Sequence, residues 1–309
     1  MPQRSILVAD DIENQTDSGK RRSQAIGSAA SFLAQRLKTG IDLLYSEDLK
    51  AYPSGKPGSF RFPAWHSAHQ QRLEALGRQF AVPVSCSLKS GSPAEQILKV
   101  LRSRSAPELV VVGTQGRRGV KRLLLGSVAE EVIRHSRRPV MVIGPTAQEM
   151  GRDISGQKQQ KILVPTDLGK NSRAAERYAL SLAKRMGASV TLFHCLWDSI
   201  YAIMVNTAYS GMAAFNIGEI IAESRDDAVD AMKRKAGFFQ KHGVPCGYKV
   251  EDKALTSLCA VSQECESGYS LVVMGTHGRN AMLNAFFGST ARETILKAAV
   301  PVIVVHSGR

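Results

Sequence analysis

Two stretches of glycine and serine with the same spacing are the best candidates for chemistry in this chain of 309 residues. Each stretch has two glycines three positions apart, nine further residues and then a Gly-Ser pair. The members are Gly113, Gly116 and Gly126-Ser127 in the first stretch, and Gly275, Gly278 and Gly288-Ser289 in the second. Glycines let backbone N–H groups approach a ligand closely, and the free amides in the first turn of a helix attract anions. The spacing therefore predicts a cradle for phosphate.

The common phosphate loops are absent. The sequence has neither GxxxxGK[ST] nor a GxGxxG after its first apolar run. It therefore lacks the motifs that define P-loop NTPases and dinucleotide-binding dehydrogenases. The alternative to a phosphate cradle is a tight turn and a helix cap without a ligand. In that cap Ser127 would be the N-cap residue and Glu130 would complete a capping box. Because both copies keep the full spacing, nucleotide binding is favoured over the cap alone.

Each half also places an aspartate directly after its first apolar run. The runs are SILVADD, which ends at Asp11, and KILVPTD, which ends at Asp167. Such a carboxylate either belongs to a ligand site at the carboxyl end of the strand or caps the following helix, and the sequence leaves both interpretations open. In the first half Asp10 precedes Asp11, and two adjacent carboxylates repel an anionic nucleotide unless a metal ion or an arginine offsets them.

Basic residues lie inside both glycine stretches, with Arg117 and Lys121 in the first and His277 and Arg279 in the second. They are either solvated loop charges or, where the loop closes over a bound phosphate, ligands. Because Gln115 stands where the second stretch has His277, a catalytic role shared by both halves is not predicted.

No metal site is predicted from the histidines and cysteines. His66 and His69 can share one face of a helix, but no acidic residue or cysteine stands close to them in the sequence, so they are interpreted as surface residues. The five cysteines form no CxxC pair and are interpreted as free, buried thiols.

The candidate residues must be positioned by two copies of one α/β unit. LVVVGTQG at 109–116 matches LVVMGTHG at 271–278, and near-continuous Val, Ile and Leu runs indicate strands covered on both faces, as in a parallel sheet. The sequence predicts two tandem five-stranded, doubly wound α/β domains with ligands at the carboxyl ends of the strands. The predicted bounds are 1–146 and 161–309, with a polar linker at 147–160.

The last apolar run of each half, 139–143 and 301–305, predicts a hydrophobic edge strand that needs a partner. The two copies on one chain are expected to pair with each other as an intramolecular pseudo-dimer. Pairing of whole chains into a homodimer, or binding of a protein partner, stays open.

Composition excludes several classes of function. The formal charge is +14, but aromatic residues make up only 6% of the chain and no block of five like charges occurs, so specific nucleic-acid binding is not predicted. No window approaches the roughly 18 apolar residues of a membrane span. The N-terminus does not have the pattern of a signal peptide. A soluble, cytoplasmic protein is expected.

Residues 113–143 and 275–305 resemble the C-terminal signature of the universal stress protein family, Gly-x2-Gly-x9-Gly-(Ser/Thr), and residues 161–195 resemble the opening of that family. The chain is similar to a tandem, two-domain member. The resemblance implies a five-stranded α/β domain. Some members of the family bind ATP and others do not. The resemblance therefore also implies adenine nucleotide binding as an expectation, with ATP as the ligand and Mg²⁺ as an optional companion.

The resemblance also implies which residues hold the nucleotide. In each half the aspartate would bind the ribose, the residue before the first glycine would touch the adenine side, and the glycine stretch would hold the phosphates. These residues are Asp11, Val112, Gly113, Gly116, Arg117, Gly126, Ser127 and Val128 in the first half, and Asp167, Met274, Gly275, His277, Gly278, Arg279, Gly288, Ser289 and Thr290 in the second.

The two halves are not expected to be equivalent. The first is expected to have the better phosphate loop, because it carries more positive charge there, and the second the better ribose corner. Residues 12–25 are expected to form a longer loop than the short one of the family.

The predicted function is a stress-response protein that binds ATP or another adenine nucleotide in one or both halves and works as a regulatory module. At most slow hydrolysis is expected, because no residue set supplies both a metal-bound water and a general base. One alternative is a scaffold that binds no nucleotide and acts through dimerisation and partner binding. A second is a hydrolase that uses Asp10 or Asp11 with a divalent ion.

Overall fold

The chain folds into two compact units, residues 1–156 and 157–309. The computed structural model describes residues 5–47, 62–114, 125–150, 159–196, 217–252, 257–276 and 288–306, apart from the side chains of a few helical residues. The division between the units lies inside the predicted linker, 147–160.

The first unit alternates strands and helices. Its elements are β1 (Ser5–Ala9), α1 (Asp17–Leu37), β2 (Gly40–Glu47), α2 (Phe62–Gly77), β3 (Val84–Ser90), α3 (Pro93–Leu101), β4 (Leu109–Gly113), α4 (Ser127–His135), β5 (Val140–Ile143) and α5 (Pro145–Met150). The strands are parallel and lie in the order β3-β2-β1-β4-β5. The apolar runs of β1, β4 and β5 are buried throughout, as strands covered on both faces must be.

The second unit repeats this arrangement. Its elements are β6 (Lys161–Pro165), α6 (Arg173–Met186), β7 (Ser189–Cys195), α7 (Ile217–Lys241), β8 (Cys246–Glu251), α8 (Ser257–Glu264), β9 (Leu271–Gly275), α9 (Ser289–Lys297) and β10 (Val302–Val305). The parallel strands lie in the order β8-β7-β6-β9-β10. The prediction of two tandem, five-stranded, parallel α/β domains is confirmed.

The strand order fixes where a ligand can bind. In each unit the first strand lies between the second and the fourth, so the connections leave it in opposite directions and open a crevice at the carboxyl ends of these strands. Asp11 and Gly113 stand at this place in the first unit, and Asp167 and Gly275 stand at it in the second.

Two local expectations differ from the structure. The loop after β1 is not longer than its counterpart, because Thr16 caps α1 at the same distance from Asp11 as Ser172 caps α6 from Asp167. The residues after β5 form the short helix α5, which packs on α1, so the start of the predicted linker is helical.

The predicted pairing of the two last strands stays a prediction. Within the part of the chain that the structure describes, no helix is both long enough and apolar enough to cross a membrane.

Candidate functional site

The turn after β6 holds Asp167 in a defined position. Its Oδ1 accepts hydrogen bonds from the backbone N–H of Gly169 at 2.9 Å and from the hydroxyl of Ser172. Leu168 has a φ of 61°, which is uncommon for a residue with a side chain, so the turn depends on the bonds around it. Asp167 Oδ2 is buried and has no hydrogen-bond partner among the described residues.

A buried polar network supports this turn from behind. Thr166 Oγ1 donates to Glu176 Oε1 at 2.6 Å and accepts from the N–H of Leu168 at 3.1 Å. Lys235, on α7, donates to both oxygens of Glu176 at 2.7 and 2.6 Å. The carbonyl oxygen of Thr166 lies 2.8 Å from Nδ1 of His194 and accepts a hydrogen bond from it. The strands β6 and β7 and the helices α6 and α7 all therefore fix the backbone that aims Asp167.

An apolar cluster lies beside the same turn. Leu196, which follows β7, and Ala228, on α7, are buried, and Leu168 and Val250 pack against them. The carboxylate of Asp167 thus stands next to a surface of the kind that a flat, apolar ring contacts.

The end of β9 and the start of α9 form the other side of the crevice. The N–H of Gly288 donates to the carbonyl oxygen of Thr276 at 2.8 Å, which brings the helix start next to the strand end. Gly288 is the N-cap and offers no side-chain acceptor to the first turn of α9. The amides of that turn can therefore serve an anion.

The same corner of the first unit is occupied by an arginine. Arg22, on α1, is 2% exposed, and its Nε lies 3.0 Å from Asp10 Oδ1. Its Nη2 donates to the carbonyl oxygen of Asp11 at 2.8 Å. A Cβ placed on Gly113 would lie 2.8 Å from Arg22 Cδ, so the arginine stem rests directly on this glycine. Arg22 is the positive charge that offsets the extra carboxylate at Asp10.

A second buried cluster, which the sequence did not predict, lies at the end of β2. Glu47 is 0% exposed, and its two oxygens lie 3.1 Å from Nδ1 of His66 and 3.1 Å from Nδ1 of His69. The other ring nitrogen of His69 lies 2.7 Å from Glu13 Oε1. The interpretation of His69 as a surface residue is wrong, because the sheet brings two distant carboxylates to it. Glu47 at the end of an apolar run, on the same edge as Asp11, was the available signal.

Each half of the chain matches the model of one known family. The family model described as "Universal stress protein family" matches residues 3–144 and again residues 159–306. This chain belongs to the universal stress protein family.

Several universal stress proteins are similar to this chain in sequence or in fold. A universal stress protein of Mycobacterium tuberculosis is 26% identical over 235 residues, which cover 75% of this chain and 72% of that protein. A solved universal stress protein of Archaeoglobus fulgidus is 18% identical with a TM-score of 0.64 and full coverage of both chains, which shows the common fold. A third protein, a universal stress protein solved in complex with cAMP, is 20% identical, covers 46% of this chain and 98% of its own, and has a TM-score of 0.30.

The residues that the resemblance implies as adenine and ribose contacts have similar surroundings in the two halves. Val112 and Met274, at the ends of β4 and β9, are both buried. Asp11 Oδ1 accepts the N–H of Glu13 at 3.2 Å, so it supports its own turn, as Asp167 does. Gly113 is covered by Arg22.

The helix starts differ from the predicted cap. Gly126, with extended backbone, is the N-cap of α4, and Ser127 is the first helical residue, so the prediction of Ser127 as N-cap is wrong. Glu130 pairs with Arg134 at 3.1 Å. In the first turns of α4 and α9, Ser127 corresponds to Ser289 and Val128 corresponds to Thr290.

Five of the implied residues, Gly116, Arg117, His277, Gly278 and Arg279, lie outside the described residues. Within the described ranges, no group of three or more His, Cys, Asp or Glu side chains is arranged to hold a metal ion.

Proposed function

We propose that this universal stress protein binds an adenine nucleotide, with ATP as the leading candidate, in the crevice of its second half. The bound nucleotide would act as a regulatory ligand. The proposal rests first on Asp167, and the apolar cluster and the start of α9 add to it.

The observation that carries the proposal is the unpartnered oxygen of Asp167. A buried carboxylate oxygen without a donor costs about 1–3 kcal/mol, and such atoms are rare in folded proteins. Oδ1 is already fixed by Gly169 and Ser172, so the side chain cannot turn away without breaking those bonds. A ribose hydroxyl would supply the missing donor to Oδ2.

The surroundings of Asp167 fit the rest of an adenine nucleotide. Leu168, which is half-buried and packs beside Leu196, offers apolar contact to a base. The first turn of α9, capped only by the backbone of Gly288, offers amides to phosphate. The base, ribose and phosphates are thus matched by three different elements around one crevice.

The alternative hydrolase with Asp10 as its working carboxylate is disfavoured by a contact. Asp10 Oδ1 accepts from Arg22 and from the N–H of Asp11. The side chain of Asp10 is 2% exposed, so its carboxylate is not accessible to a substrate. The scaffold alternative is separated from nucleotide binding by the following measurement.

Isothermal titration of the full-length protein with ATP, ADP, AMP and cAMP tests the proposal. cAMP is included because a solved member of the family holds it. The decisive variant is Asp167→Asn, which keeps the size of the side chain. In one orientation the amide keeps the acceptor for Gly169 and places a donor at the Oδ2 position. In the other orientation it keeps an acceptor at the Oδ2 position and loses the acceptor for Gly169. The matched control is Asp230→Asn, at an exposed position of α7.

We expect Asp167→Asn to weaken nucleotide binding about tenfold or more, since hydrogen bonds to charged groups contribute about 1.5–3 kcal/mol. Asp230→Asn should bind as the wild type does. No heat of binding with any of the four nucleotides, or equal affinities of both variants, would contradict the proposal and favour the scaffold.

A further inference from the structure

The two halves align in register without a gap at the crevice. Ser5 pairs with Gly40 as Lys161 pairs with Ser189, and the first helices begin at the same distance from the first strands. Corresponding positions can therefore be compared one by one. They are Asp10 with Thr166, Arg22 with Tyr178, Glu47 with Leu196 and Gly113 with Gly275.

Arg22 takes up the space above Gly113. A Cβ built on Gly113 would lie 2.8 Å from Arg22 Cδ, 2.9 Å from Arg22 Cγ and 3.0 Å from Ile26 Cδ1. The first glycine of the spacing in the first half is thus covered by α1. The first half fills this place with its own side chain.

Displacing the arginine side chain destabilises the protein. The side chain of Asp10 is 2% exposed and faces Nε of Arg22 at 3.0 Å, while Nη2 of Arg22 is bound to the carbonyl of Asp11. Moving the guanidinium aside would leave a buried carboxylate without its countercharge, which is strongly destabilising. A neutral or anionic nucleotide has no group that replaces a guanidinium.

The base side of the first crevice is also different. Where the second half has the buried Leu196, the first half has Glu47, whose oxygens face His66 and His69. Glu13, in the loop after β1, is tied to the same His69 at 2.7 Å. A cluster of carboxylates and imidazoles therefore lies where the second half offers an apolar surface.

We propose that Arg22 stands in for a ligand in the first half, so that each chain binds a single nucleotide and binds it in the second half. Arg22 then acts as a built-in specificity residue that closes one of two equivalent sites. The inference rests on the proposed function, and it reverses the expectation that the extra basic residues make the first half the better phosphate site.

Native mass spectrometry of the full-length protein with saturating ATP counts the bound nucleotides. The variants are Asp11→Asn and Asp167→Asn, which make the same change at corresponding positions. A third variant, Asp10→Thr with Arg22→Ala, removes the ion pair without changing the net charge, and Arg21→Ala is its control on the exposed side of α1.

We expect one nucleotide on the wild type, on Asp11→Asn and on Arg21→Ala, and two on the charge-balanced double variant, whereas Asp167→Asn should need about tenfold more ATP or higher to reach one. Two nucleotides on the wild type, or loss of the nucleotide in Asp11→Asn alone, would overturn the inference and leave nucleotide binding intact. A count that stays at one in a folded double variant would show that Arg22 is not what closes the first half. No nucleotide on the wild type would instead overturn the proposed function, and the inference with it.

Discussion

The two halves of the molecule share one fold but place the acidic and basic residues of their ion pairs at different positions on it. In the first half the acid stands on the strand, at Asp10, and the base stands on the following helix, at Arg22. In the second half the strand position is Thr166, the acid is Glu176 on the helix, and the base is Lys235 on α7. The difference decides which side of the turn the ion pair occupies.

The position of the ion pair has a direct consequence for the crevice. In the first half the pair lies over the glycine at the end of β4, and Asp10 Oδ2 is buried without a hydrogen-bond partner among the described residues. In the second half the pair lies behind the turn and fixes its backbone, while Asp167 Oδ2 keeps no partner among the described residues. The residue directly after the first strand, acidic in one copy and neutral in the other, thus goes with an ion pair over the glycine in the first half and behind the turn in the second.

The largest effect is expected from breaking the ion pair of the first half. Arg22→Ala leaves Asp10 buried without a countercharge and should lower the free energy of unfolding by about 3–5 kcal/mol, measured by chemical denaturation. Arg21→Ala, at the neighbouring exposed position, is the control and should change it by less than about 0.5 kcal/mol. Equal stabilities of the two variants would mean that Arg22 does not neutralise Asp10.

Breaking the ion pair of the second half should weaken nucleotide binding, because this pair lies behind the turn that holds Asp167. Lys235→Met keeps the stem but removes both bonds to Glu176, each shorter than 2.8 Å. We expect nucleotide affinity to fall about tenfold, because hydrogen bonds to charged groups contribute about 1.5–3 kcal/mol to holding the turn. Lys235→Arg should restore most of the affinity. A Lys235→Met protein with wild-type affinity would show that the network does not position Asp167.

The histidine cluster gives a smaller contrast within the first half. His69 is 2% exposed, whereas the side chain of His66 is 45% exposed, although both face Glu47. His69→Ala should lower the free energy of unfolding by about 1–3 kcal/mol, since it removes a hydrogen-bond partner from the buried carboxylate of Glu47. His66→Ala should cost less than about 1 kcal/mol, because water can replace its bond. The reverse order in a denaturation series would contradict the assigned burial.

The smallest contrast concerns the cysteines. Cys86, in the first half, is partly exposed, whereas Cys195, Cys246 and Cys265, in the second, are buried. Burial raises the pKa of Cys246 and of Cys265 to about 12, so almost no reactive thiolate forms near neutral pH. Burial also raises the pKa of Cys86, with Glu74 as the next cause.

Alkylation of the folded protein with iodoacetamide at about pH 8, followed by peptide mass spectrometry, compares these four cysteines. We expect Cys86 to be modified first, because it is the one of the four that reagent can reach, and its rate should rise with pH as the thiolate fraction increases. Modification of Cys246 or Cys265 as early as Cys86 would show that the second unit opens more readily than its burial indicates.

The sequence predicted those features that depend on neighbouring residues. The buried strands follow from their Val, Ile and Leu runs, and the places of Asp167 and Gly275 follow from the strand ends. The cap at Ser127 was misplaced by one residue, because glycine takes the extended N-cap backbone at Gly126 without a side chain.

The features that were missed depend on contacts between distant residues. Arg22 reaches Gly113 because α1 turns it toward the sheet together with Ile26, Ala30 and Leu33, which are all buried. A basic residue in register with that apolar stripe was the only local sign of this contact. The approach of His69 to Glu47 requires α2 to pack beside β2, which no local pattern specifies.

Photoaffinity labelling with 2-azido-ATP, followed by peptide mapping of the full-length protein, tests most directly whether the second half alone holds the nucleotide. The label is predicted on peptides of the second unit only, with protection by excess ATP and loss of labelling in Asp167→Asn. Labelling of the first unit to the same extent, with protection by ATP, would contradict the claim that Arg22 closes that half.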